Sequence, residues 1–140
     1  RGTAKSKSGD NYGAISDFNK AIEINPRYAD AYYNRGKAKS DLKEYKGALS
    51  DFNNAIEINP NKPDYYTFRG NTKGRLGDNY GAISDFNKAI NIDSNNLLAY
   101  KNRGVAKENL GDMKGACSDW REAASLSPND DSAKWVRNQC

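Results

Sequence analysis

The 140-residue sequence contains no histidine, one methionine and two cysteines. Without histidine, neither a Ser/His/Asp nor a Cys/His nucleophilic arrangement can be built, and histidine metal ligation is excluded. The glycines do not fall into a phosphate-cradling pattern, either GxGxxG or a Gly-rich loop ending in Gly-Lys-Ser/Thr. Asp93, Asn95 and Asn96, and the pair Asp130 and Asp131, lack the alternate-residue spacing of a calcium loop and read as caps and turns. The expectation is a non-catalytic chain with no cofactor and no metal. No apolar run approaches the roughly 20 residues of a membrane-spanning helix. The chain is expected to be soluble, placed for preference in the cytoplasm, although Arg1 is not an initiator methionine and a longer parent could have lost a secretory signal. The formal charge is +4 and the sequence pI about 9.0, but basic and acidic residues alternate, with no basic run. That argues against nucleic acid and leaves a mild bias towards acidic partners.

What is present is periodicity. The apolar fraction is 36% and the mean hydropathy −0.98, values that also fit disorder, but 9 Tyr, 4 Phe and 2 Trp provide the surface for a thin core. The segment Gly9 to Ile22, GDNYGAISDFNKAI, recurs unchanged at Gly77 to Ile90, an offset of 68 residues. At half that offset, 34 residues, Ser16 to Pro26 reads SDFNKAIEINP and Ser50 to Pro60 reads SDFNNAIEINP. Self-similarity at a fixed period of this size signals a stacked-repeat architecture.

The columns predict helices. Ala14, Phe18, Ala21 and Ile22 share one helical face, and the pattern returns at Ala48, Phe52 and Ala55, at Ala82, Phe86 and Ala89, and at Ala116, Trp120 and Ala123. Ahead of each lies a segment with its own glycine, Gly2, Gly36, Gly70 or Gly104, so each repeat reads as helix A followed by an antiparallel helix B. The glycine lets helix A approach Ala48 and its equivalents. Gly9, Gly77 and Gly111 are expected to stop helix A, with Asp10, Asp78 and Asp112 capping helix B. Repeat two has Lys43 and Glu44 there, which predicts a less defined turn. Lys5, Lys39, Lys73 and Lys107, with Arg35, Arg69 and Arg103, are expected to pair with Asp17, Asp51, Asp85 and Asp119.

The period, the glycine, alanine and aromatic columns, the closing Pro26, Pro60 and Pro128, and the opening Tyr32, Tyr66 and Tyr100 together resemble the tetratricopeptide repeat, in bacterial-type tandem arrays. The resemblance implies an all-α, right-handed superhelical solenoid of antiparallel helix pairs. The repeats would be 1–28, 29–62, 63–96 and 97–128, the first lacking its opening turns, and 129–140 would form a capping helix with Ala133, Val136 and Cys140 on the last helix B. Trp135 stands one place after the aromatic column, which leaves the register of that helix open. In the family an aromatic follows the Gly-Asp turn; here Asn11 and Asn79 do, with Tyr12 and Tyr80 one residue later. Either these tyrosines swing round to fill the gap or that edge packs less well.

By the same resemblance, helices A line a concave groove for a peptide or partner protein. Its columns give Tyr33, Asn34, Lys37 and Asp41 from repeat two, Thr67, Phe68, Asn71 and Arg75 from repeat three, and Lys101, Asn102, Val105 and Asn109 from repeat four. Members that bind chaperone tails use a Lys, Asn and Arg clamp. Asn34 matches it, but Asp64 and Phe68 occupy the columns expected to supply Lys and Arg, which argues against that ligand. The implied function is a protein-interaction module. The alternative is self-assembly into homo-oligomers through the truncated N-terminal end. Cys117 reads either as a buried small residue or as the partner of Cys140 in a disulfide.

Overall fold

The computed structural model describes residues 7–140, and among these it contains α-helices and turns but no strand. In chain order they are α1 (Lys7–Ile24), α2 (Ala29–Asp41), α3 (Tyr45–Ile58), α4 (Pro63–Arg75), α5 (Asn79–Ile92), α6 (Leu97–Asn109), α7 (Met113–Leu126) and α8 (Asp131–Gln139). Each packs on its neighbours in sequence, with α2/α3, α4/α5 and α6/α7 the closest pairs. Helices α2 and α4, and α4 and α6, also touch each other, whereas the B helices make no contact of that extent. The stack therefore curves towards the A side. Gly2, Lys5 and the expected opening of repeat one lie outside the described residues.

The alanine and aromatic columns make the core. Ala48, Phe52 and Ala55 of α3, Ala82, Phe86 and Ala89 of α5, and Ala116, Trp120 and Ala123 of α7 are all buried. The helix A glycine faces the ring more closely than the alanine: a Cβ on Gly36 would lie 2.8 Å from Phe52 Cε1, and one on Gly70 would lie 2.8 Å from Phe86 Cε1. Absence of a side chain thus seats the aromatic of helix B.

The ion pairs form within repeats two, three and four, and each reaches into the repeat before it. Arg35 Nε and Nη2 donate to both oxygens of Asp51 at 2.9 and 2.6 Å, Lys39 adds a contact at 3.3 Å, and Arg35 Nη1 donates to Asn19 Oδ1 at 2.8 Å. The same set recurs at Arg69, Asp85, Lys73 and Asn53, and at Arg103, Asp119, Lys107 and Asn87. The three carboxylates are buried, and the bidentate guanidinium and the ammonium satisfy them together.

Two turn expectations need correction, and an open alternative is decided. In repeat one Gly9 does not stop a helix and Asp10 does not cap a second one, because α1 runs unbroken through both. Glycine accepts helical as well as left-handed backbone. Gly77 and Gly111 take positive φ (88° and 85°), and Asp78 and Asp112 accept from Gly81 and Gly115 N–H groups at 2.9 Å. The turn of repeat two is no less defined. Lys43 takes φ 64°, and Glu44 N–H donates to Lys39 O at 2.8 Å, as Asp78 N–H does to Lys73 O, although Glu44 makes no side-chain cap. Of the two alternatives left open for Tyr12 and Tyr80, swinging inward is excluded: they are 59% and 77% exposed, while Tyr45 is half-buried.

Phe52→Ala should cost about 3–5 kcal/mol through the cavity it leaves. Gly70→Ala should also destabilise, by about 1–3 kcal/mol of overpacking set against a helix-propensity gain of up to about 1 kcal/mol. Asp85→Ala strands Arg69 and Lys73, and should cost about 3–5 kcal/mol. Urea unfolding monitored by circular dichroism checks all three, and an unchanged midpoint for any one would contradict its packing role.

Candidate functional site

The inner face carries an aromatic cluster at the α2/α4 junction. The Tyr33 ring centroid lies 4.9 Å from Tyr65, 5.5 Å from Phe68 in an edge-on arrangement, and 6.0 Å from Phe52. The Lys37 ammonium sits 5.1 Å from the Tyr33 centroid and 5.0 Å from that of Phe68, within cation–π range of both. Tyr65 donates its hydroxyl to Asp30 Oδ1. Both phenols are held protonated beyond the usual range: Tyr33 by burial and then the charges of Asp64 and Asp30, Tyr65 by burial and then its hydrogen bond to Asp30.

Two clefts open between successive helices A, the first of them beside this cluster. One, of about 250 Å³ between α2 and α4, is lined by Lys37, Asp41, Phe68, Asn71 and Arg75 of the expected groove and by Ser40, Lys43 and Tyr45. The other, of about 130 Å³ between α4 and α6, is lined by Asn71, Arg75, Asn102, Val105 and Asn109 over a floor of Ala82 and Phe86. Asn79 stands at its edge, with its Oδ1 accepting from Asn109 Nδ2 at 3.4 Å. Asn34 is half-buried and lines neither cleft.

Two expected groove residues are otherwise engaged. Thr67 is 1% exposed and is not a groove side chain. Its hydroxyl donates to Pro63 O at 3.1 Å and accepts from Asn96 Nδ2 at 3.1 Å, and Asn96 in turn caps α6 by accepting from Ala99 N–H. Lys101 is drawn to the C-terminal end, 3.1 Å from Asp130 Oδ2 and over the Trp135 ring at 5.7 Å. Conversely, Tyr65 and Lys43 were absent from the expected set. Their columns held the signal: Tyr65 replaces Ala31 and Ala99, and Lys43 replaces Gly77 and Gly111.

At the other end α8 closes the stack. A Cys117–Cys140 disulfide joins it to α7, with Cα atoms 5.9 Å apart, deciding between the two readings of Cys117. Trp135 packs edge-on against Trp120 at 5.3 Å and Val136 joins the same cluster, while Ala133 is only half-buried and Cys140 is exposed apart from its sulfur link. Trp135 shares the 34-residue column of Tyr33, Thr67 and Lys101, so α8 has the register of a helix A.

Family models described as tetratricopeptide repeat match residues 29–62 and 63–96, and a third, described as TPR repeat, matches residues 2–42. The chain belongs to the tetratricopeptide repeat family. Among solved structures, this tetratricopeptide-repeat chain is similar to the Arabidopsis OM64 TPR domain, with 31% identity, coverage of 79% of this chain and 92% of that one, and a TM-score of 0.77. It is also similar to the first TPR of Spaghetti (RPAP3) bound to the HSP90 peptide SRMEEVD, at 24% identity, 78% and 87% coverage and a TM-score of 0.75. MamA, at 17% identity, 97% and 88% coverage and a TM-score of 0.82, shares the fold. No curated protein matches it in sequence. No described helix is long and apolar enough to cross a membrane.

Cys140→Ser should lose about 3 kcal/mol of chain-entropy stabilisation for a 23-residue separation, read as faster amide exchange in α8. Asp130 feels burial, which raises its pKa, but bonds from Ser132 and Lys101 outweigh it and hold the carboxyl below its ordinary value. The ionised form therefore stabilises α8 above the unfolded carboxyl pKa of about 4, and that contribution disappears as pH falls through the lower folded value. Near-ultraviolet circular dichroism of the tryptophan pair should show this acid transition, diminished in Asp130→Asn.

Proposed function

We propose that this chain is a non-catalytic protein-interaction module that holds an extended segment of a partner protein against the inner face of α2, α4 and α6. The observation that carries the reading is the edge-on Tyr33–Phe68 pair, two half-buried rings braced by Tyr65 and Phe52 on a face otherwise lined by carboxamides and charged groups. Rings fixed in this way provide apolar contact without further ordering cost, and Asn71, Asn102 and Asn109 can both donate to and accept from a peptide backbone. That the Spaghetti TPR holds an HSP90 peptide supports the reading at the level of the fold.

A second reading, self-assembly through α1, is favoured by one contrast: Phe18 of α1 is half-buried where Phe52 and Phe86 are fully buried. The two readings separate experimentally. Tyr33→Ala combined with Phe68→Ala should abolish partner capture while leaving helicity intact. Capture unchanged by the pair sinks the groove reading, and a strictly monomeric species by light scattering at high concentration sinks self-assembly.

A further inference from the structure

The 250 Å³ cleft between α2 and α4 is walled by residues that break the repeat. Helices α3 and α5 share the core run SDFN and their Gly, Ala and Ile positions, yet Lys37 stands in a column with Asn71 and Val105, Phe68 with Asn34 and Asn102, Arg75 with Asp41 and Asn109, and Lys43 with Gly77 and Gly111. Lys43 is the most telling. At φ 64° it occupies left-handed backbone that glycine enters freely and other residues rarely adopt, so a lysine is kept where the turn favours glycine.

The charge balance points the same way. Lys37, Lys43 and Arg75 face the cleft with one carboxylate, Asp41, in its wall. Among the described residues none of these three cations has a carboxylate within 4.0 Å, whereas Arg35, Arg69, Arg103 and their companion lysines are all paired. The Lys37 ammonium lies over Phe68, between the cleft and the aromatic pair. Cations gathered in a partly enclosed cleft repel one another, and a bound anion relieves that repulsion.

We propose that this cleft receives an anionic side chain, glutamate or phosphoserine, of an extended partner segment whose neighbouring apolar residue rests on Phe68 and Tyr33. The assignment rests on the groove reading above and names its chemistry. It concerns a side chain within the segment, and none of its cations stands in the two clamp columns occupied by Asp64 and Phe68.

The test is fluorescence anisotropy with a fluorescein-labelled heptapeptide, Gly-Phe-Glu-Glu-Phe-Glu-Gly, amidated so that it has no terminal carboxylate. It is compared with its glutamine counterpart and with a form carrying phosphoserine at the central position. The glutamate or the phosphoserine peptide, or both, should bind about tenfold more tightly than the glutamine one, with the advantage shrinking as salt rises. Preference between those two identifies the source of the anion. Lys43→Gly should melt at or above the parent temperature, since it restores the residue the turn favours, yet lose much of the advantage; Arg75→Gln should do the same without loss of helicity. If all three peptides bind equally and Tyr33→Ala with Phe68→Ala abolishes them all, the anion assignment is overturned and the groove reading stands. If none binds at about millimolar concentration, both fall. A charge advantage that survives in Lys43→Gly and Arg75→Gln also overturns it.

Discussion

The buried carboxylate of α3, α5 and α7 is the constraint on which the rest of the stack depends. Asp51, Asp85 and Asp119 lie where an unpaired charge would cost several kcal/mol, and each is satisfied only by an arginine and a lysine one helical turn apart on helix A. The same arginine donates across to an asparagine of the preceding helix B. One side chain therefore aligns three helices, and a slip by a single residue would leave a carboxylate stranded in each of repeats two to four. Glycine at the adjacent position sets the depth at which the helices meet, since its missing Cβ is where the aromatic ring sits.

With alignment assigned to one edge and depth to the glycine, the inner face of helices A is released from structural duty. That is where the repeats diverge. Helices B keep their buried alanine, aspartate and aromatic columns, while the inner face offers an aromatic pair and unpaired cations beside α2, and carboxamides beside α6. A chain with a polar composition can afford a thin core because small residues bring backbones close, and α3, α5 and α7 each bury one ring in it.

Periodicity made the helices, their pairing and the Asp–Arg–Lys columns legible, because each is a local pattern repeated with the period of the fold. The site was legible by column only. Thr67 shares a column with Tyr33, but Asn96, the residue that caps α6, captures its hydroxyl, and a contact 29 residues away has no local signature. Tyr65 and Lys43 were visible as departures from alanine and glycine, yet departure alone does not tell whether a side chain faces solvent, a neighbour or a cleft. At Gly9 the same tripeptide that makes a turn at Gly77 lies within a helix, since glycine enters both backbone conformations and the tripeptide alone does not choose between them.

The sequence by itself determined the repeat length, the helical class and the residues that must be buried, because those follow from spacing and side-chain volume along one helix. Tertiary structure alone decided that Cys117 reaches Cys140, that Lys101 turns to Asp130, and that Lys37 lies over two rings from different helices. Each of these joins groups on separate helices, whose separation is fixed by packing angle and depth, and no spacing along a chain encodes a distance between its folded parts.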